Sequence, residues 1–152
     1  MNRFPIKVTY GIMATVELAR HKDTQPLQAK VIAQRQRIPT RFIEQIMQRL
    51  KQAGIVRSAR GAQGGYTLTK TPSQISLASL VNSMNGAQRE LLNGITDNNG
   101  NSNQRPLSTS LLSGIWQQVE EAEQGILNNI SIQSLLEQYE KLETQRALMY
   151  HI

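Results

Sequence analysis

The chain has 152 residues, 39% of them apolar, with 17 Lys/Arg against 11 Asp/Glu and no cysteine. That length suits one domain, or one small domain with a helical extension. The missing thiols exclude disulfides, thiolate zinc sites and cysteine-ligated iron–sulfur clusters.

The net charge of +6 is unevenly spread. Residues 1–75 carry 13 Lys/Arg and 3 Asp/Glu, whereas residues 76–152 carry 4 and 8. A basic half joined to an acidic half suggests a polyanion-binding module attached to something of another kind. No apolar run reaches the roughly 18 residues that span a bilayer, and the opening MNRFPIKVTY has no signal-peptide core. A cytoplasmic protein with no membrane partner is expected.

In chain order, Val8, Ile12, Val16 and Ala19 recur at helical spacing and predict a first helix over about 7–21. Ala29, Ile32 and Ala33 mark a second over 28–36. Ile38-Pro39-Thr40 forms a turn, with Thr40 as cap of a third helix over 41–52 and Glu44 near its positive end. Phe42, Ile43, Ile46, Met47 and Leu50 are that helix's apolar stripe, and Gly54 ends it. Two short β-rich segments, 55–58 and 66–69, flank Arg60-Gly61-Ala62-Gln63-Gly64-Gly65, a glycine-rich hairpin tip.

A fourth helix is expected over 75–84. A polar, mobile loop follows over about 87–110, rich in Asn, Gly and Ser. A long helix over 111–128 and a last one over 132–146, capped by Ser131, complete the chain. The predicted fold is mainly α with a small β-hairpin wing. It divides into a winged helix-turn-helix domain (1–86), the loop (87–110) and a helical dimerisation region (111–152).

Helix, turn, helix and glycine-tipped hairpin, in that order, describe a double-stranded DNA reader. Thr40, Arg41, Glu44 and Gln45 stand at the start of the third helix, where polar groups meet base edges. Arg pairs with guanine, Gln with adenine, and Glu accepts from cytosine. Lys30, Arg35, Arg37, Arg49 and Lys51 are candidates for phosphate contacts, and Arg60 on the wing for the minor groove. The plain alternative is a solvated basic surface. A phosphate-loop reading fails, because no Gly-Lys-Ser/Thr follows the glycines.

Leu112, Ile115, Trp116, Val119 and Ile126 suit either a monomer core or the seam of a homodimer; the dimer is the preferred reading. His21 and His151 stand apart from any spaced carboxylates, so no enzyme is expected.

Ile43-Glu44-Gln45-Ile46, Leu50-Lys51-Gln52-Ala53-Gly54-Ile55-Val56, Ser58-Ala59-Arg60-Gly61, Gly64-Gly65-Tyr66 and Leu127-Asn128-Asn129-Ile130 together resemble the Rrf-type winged-helix regulators. The likeness runs from Lys7 to about Leu142. It implies a bacterial transcription factor, dimeric through the long helix. The implied DNA contacts are Arg41, Glu44 and Gln45, then Ser58, Arg60 and Gly61 of the wing. Lys7 matches a basic position of the family's first motif, although Val8 stands where glycine is usual.

Cluster-binding members carry three cysteines in the loop. This chain has Asn, Gly and Ser there and Ser113 near the fourth ligand position, so the resemblance implies a regulator without a cluster or other cofactor. The tail Ala147-Leu148-Met149-Tyr150-His151-Ile152 resembles that of a cluster-free member that senses through a partner enzyme. The expected function is a repressor acting as a homodimer on a near-palindromic operator. The alternative is a protein-interaction module whose helical dimer binds an enzyme or another regulator.

Overall fold

The computed structural model describes residues 4–86 and 106–151. Among the described residues, six helices and one hairpin follow in the order α1 (Ile6–Arg20), α2 (Ala29–Gln36), α3 (Thr40–Gln52), β1 (Val56–Ala59), β2 (Gly65–Leu68), α4 (77–86), α5 (Leu107–Asn128) and α6 (Ile132–Tyr150). A single 3₁₀ turn, Pro72–Gln74, joins the hairpin to α4. The class is the mainly helical one, with a two-stranded wing, that the apolar periodicity predicts.

Three helices open behind a proline. Pro5, Pro39 and Pro106 are the N-caps of α1, α3 and α5, and none of the three makes a side-chain cap. Proline's fixed φ suits the extended residue before a helix, and its missing N–H is no loss there. This corrects two expectations. Thr40 is the first residue of α3 rather than its cap, and Glu44 lies beyond the first turn. The long helix begins at Leu107, four residues ahead of the expected start. Of the loop expected over 87–110, residues 87–105 lie outside the described residues.

Ser131 caps α6 as expected, accepting from the Ser134 amide at 3.1 Å. That helix continues to Tyr150 instead of stopping near residue 146. The fourth helix starts at 77, not 75, because backbone pairing claims the residues before it. The Ile132 amide donates to the Ile75 carbonyl, and the Leu77 amide to the Ile130 carbonyl, each at 2.8 Å.

The core gathers Val8 and Ala14 of α1, Ile32 of α2, and Ile43, Ile46, Met47 and Leu50 of α3. Val56, Leu80, Val81 and Met84 close it, and Ile132 enters from α6. Of the residues that marked the expected inner faces, Val8, Val16, Ala29, Ile32, Ala33, Ile43, Ile46, Met47 and Leu50 are buried, and Ile12, Ala19 and Phe42 are half-buried against the core. Helix α5 contributes no buried residue. No helix among the described residues is long and apolar enough to cross a membrane.

Candidate nucleic-acid interface

Burial of Ile43, Ile46, Met47 and Leu50 fixes which way α3 faces. The opposite face carries Thr40, Arg41, Glu44 and Gln45, all exposed. Arg37, in the left-handed region at φ 53°, makes the sharp turn from α2, and buried Ile38 anchors it. The start of α3 is held from behind as well. Phe42 packs its ring 5.7 Å from Tyr10 of α1, and the Arg41 guanidinium lies 4.7 Å from the Phe42 ring centre.

The wing is an antiparallel ribbon in which Val56, Arg57, Ser58 and Ala59 face Leu68, Thr67, Tyr66 and Gly65. Buried Val56 ties its base to the core. Across the ribbon, Arg57 donates from Nε to the Thr67 hydroxyl at 3.1 Å. Ser58, Arg60 and Gly61 are exposed, the last two at the tip.

Backbone fixes the wing to the segment before α2. The Leu27 amide donates to the Tyr66 carbonyl at 3.0 Å, and the Tyr66 amide donates back at 2.8 Å. Only glycine fits beside this bridge: a Cβ on Gly65 would sit 2.6 Å from the Leu27 carbonyl carbon and oxygen. The adjacent Gly64 meets a similar limit, since a Cβ there would strike the Ala59 carbonyl oxygen.

Tyr66 links the wing to α3 electrostatically. Burial, and then the Glu44 carboxylate, raise its phenol above the ordinary value of 10.0. A tyrosine whose folded pKa lies above its unfolded value adds stability below the unfolded value, and that stability is lost as pH rises through the folded one. The melting temperature is therefore expected to fall as pH climbs past 10.0, and Tyr66→Phe to soften that fall. Identical pH slopes for the two proteins would remove Tyr66 from the account.

The structure brings Thr40, Arg41, Glu44 and Gln45 onto one face, with the wing residues on the hairpin tied alongside. Lys7 is half-buried in the first turn of α1. Two basic residues that charge alone offers to phosphates serve the scaffold. Arg35 pairs with Glu17 at 3.1 Å, and Arg49 donates to the Met84 carbonyl at 2.5 Å. Lys30, Arg37 and Lys51 remain exposed. Sequence reasoning missed Leu27, whose part is played by backbone atoms, and Glu17. The signal for Glu17 was an acid inside the apolar Val16–Leu18 run.

A recognition helix with a clear polar face, a helix packed behind it and a hairpin bonded beside it define a winged helix-turn-helix protein. Three comparisons agree. A family profile described as "Rrf2: Iron-dependent Transcriptional regulator" matches residues 5–138. The chain belongs to the Rrf2 family.

The Synechocystis protein slr0846, an HTH-type transcriptional regulator by name, is 41% identical over 75 residues, which is 49% of this chain and 51% of that one. The chain thus spans about half the length of this relative. The solved structure of IscR from T. potens aligns over 92% of this chain and 90% of that one, at 27% identity and a TM-score of 0.71. CymR of B. subtilis, the global cysteine regulator, aligns over 90% and 98%, at 26% identity and a TM-score of 0.65. These relatives carry the names of regulators, not of enzymes.

The family description implies iron, and the residues do not fit a cysteine-held iron–sulfur cluster. The sequence offers no thiolate, and among the described residues no three His, Asp or Glu side chains group closely enough to hold a metal. Asn and Ser are poor ligands for a soft iron centre.

Proposed function

We propose that this chain is a cluster-free repressor that binds a near-palindromic operator as a homodimer. The observation that carries the reading is the polar face of α3, exposed beside a wing whose position is fixed by the Leu27–Tyr66 bridge. Arg41 and Gln45 bond base edges in the major groove, and Glu44 accepts from a cytosine amine. Arg60 enters the minor groove, where narrow A·T-rich stretches concentrate negative potential. Lys7, Lys30, Arg37 and Lys51 neutralise phosphates, and Ser58 and Gly61 approach the backbone.

The second half-site comes from a second copy joined through α5. Repression is steric, because a dimer seated on a promoter excludes polymerase. The absence of thiolates supports a DNA-binding form that needs no cluster. A signal reaches it by some other route, such as a protein partner.

Selection of genomic fragments by the pure, cofactor-free protein at moderate salt tests the reading. A recovered palindrome with half-sites roughly 34–36 Å apart is the expected result. No enrichment over random fragments would overturn it and favour a protein-interaction role for the helical half.

On the recovered duplex, Arg60→Ala is expected to weaken binding by about 1–3 kcal/mol. The logarithm of affinity should fall with log salt by about 0.9 per neutralised phosphate. Unchanged affinity would take the wing out of the interface, and a flat salt response would remove the phosphate contacts.

A further inference from the structure

Glu17 lies on the inner face of α1 and is only 2% exposed. An isolated carboxylate is costly to bury, so an acid in such a place must be held by cations and hydrogen-bond donors. Two of its partners come from the end of α2. Arg35 Nη1 reaches Oε1 at 3.1 Å, and Gln36 Nε2 donates to Oε2 at 2.6 Å. These residues immediately precede Arg37, whose left-handed turn leads into α3.

The third partner is Arg20, one turn along α1. Its Nη1 lies 3.4 Å from the same Oε2 that Gln36 holds. The rest of Arg20 is engaged by α6. Nη2 meets Glu143 Oε1 at 2.6 Å, Nη1 donates to the Tyr139 hydroxyl at 3.2 Å, and the guanidinium carbon lies 4.1 Å from the centre of the Tyr139 ring. A continuous polar chain therefore runs from Glu143 through Arg20 and Glu17 to Arg35 and Gln36, linking α6, α1 and α2.

One carboxylate oxygen, Glu17 Oε2, therefore receives both Arg20 of α1, at 3.4 Å, and Gln36 of α2, at 2.6 Å. Glu143 and Tyr139 fix the Arg20 guanidinium from the other side, so the donor set around the buried carboxylate depends on α6.

We propose that Arg20 is a positioning residue through which α6 controls the helix-turn-helix: α6 fixes Arg20, Arg20 helps to fix the Glu17 carboxylate that also holds Arg35 and Gln36, and the turn into α3 is kept in place. The functional consequence rests on the reading that α3 meets DNA; the coupling itself does not. It gives any partner that shifts α6 a path to the recognition helix without touching it.

The test is amide hydrogen exchange on the full chain without DNA, comparing the parent with Glu143→Gln. Glu140→Gln is the control, an exposed acid on the same helix with no bond to Arg20. Exposed ion pairs contribute little to global stability, so both variants should melt close to the parent. Severalfold faster exchange over residues 34–40 in Glu143→Gln, absent from Glu140→Gln, is the expected result. Changes confined to α6 and the end of α1, or equal in both variants, would overturn the coupling.

Arg20→Lys keeps the charge but lacks the planar fork that serves two carboxylates and stacks on Tyr139. It should reproduce the Glu143→Gln pattern, and parent-like exchange in it would equally sink the proposal. With the selected duplex, Glu143→Gln should bind that sequence more weakly and random duplex as before. Failure to recover any specific duplex would overturn the DNA reading, while the exchange result would still decide the coupling.

Discussion

Gly65→Ala is expected to cost about 3 kcal/mol or more and to abolish specific DNA binding. The added Cβ would fall 2.6 Å from the Leu27 carbonyl carbon and oxygen, and these are backbone atoms that cannot rotate aside. Gly65 also sits at φ 149°, where L residues carry roughly 1–3 kcal/mol of strain. Relief requires β2 to move off the segment before α2, which breaks both bonds of the Leu27–Tyr66 bridge. Each such bond contributes about 0.5–1.5 kcal/mol net.

At this chain length, 1 kcal/mol corresponds to about 2–4 °C in melting temperature, so a drop near 10 °C is the scale to look for. Two companion variants separate the causes. Gly61→Ala at φ 105° meets nothing within 4 Å and should show backbone strain alone. Gly64→Ala, which is not at positive φ, should show collision alone. If Gly65→Ala melts and binds like the parent, the wing is not positioned by its bridge to Leu27.

The parts of this interface that were legible in the sequence are those written in side-chain periodicity. Ile43, Ile46, Met47 and Leu50 bury together because one core faces them, and that alone orients Arg41, Glu44 and Gln45 outward. The glycine run of the wing was legible as a hairpin because few other residues tolerate its geometry. What held that hairpin in place was not. The Leu27–Tyr66 bridge is made of amides and carbonyls, which every residue possesses, so no residue type announces it.

Charge was incomplete for a related reason. A sequence counts cations without their partners, and Arg35 and Arg49 are engaged by Glu17 and Met84. The start of α5 was hidden because Leu107-Ser108-Thr109-Ser110 has the composition of a loop, while the Pro106 cap and the apolar residues beyond it extend the helix. The role of Glu17 could be read only once α1, α2 and α6 were together in space.

Leu112→Asp combined with Trp116→Asp is expected to yield a folded monomer that has lost operator binding by about two orders of magnitude or more. Both residues stand on α5 in a stripe with Ile115, Val119 and Ile126, at the three- and four-residue steps of one helical face. In the single chain this stripe is largely open: Trp116 is 63% exposed, Ile115 52% and Leu112 50%, while Val119 is half-buried. Leu107, Leu111 and Ile126 extend the exposed apolar surface along the helix. Contiguous apolar surface on this scale is uncommon on a monomer and marks an interaction site.

A second copy is the occupant proposed here, because a two-fold seam sets two recognition helices at a fixed spacing. Covering each large side chain is worth about 1.5–3 kcal/mol, and aspartate on both sides of the axis reverses that gain. The core should not suffer, since no residue of α5 is buried in it. Light scattering and thermal melting on the free protein, with a duplex titration alongside, give the three readings needed. A parent that is already monomeric, or a double variant that stays dimeric, would remove α5 as the seam. A monomeric variant that still bound the full palindrome as tightly as the parent would show that the two half-sites are not read together, and the steric, dimer-based mechanism of repression would fall with it.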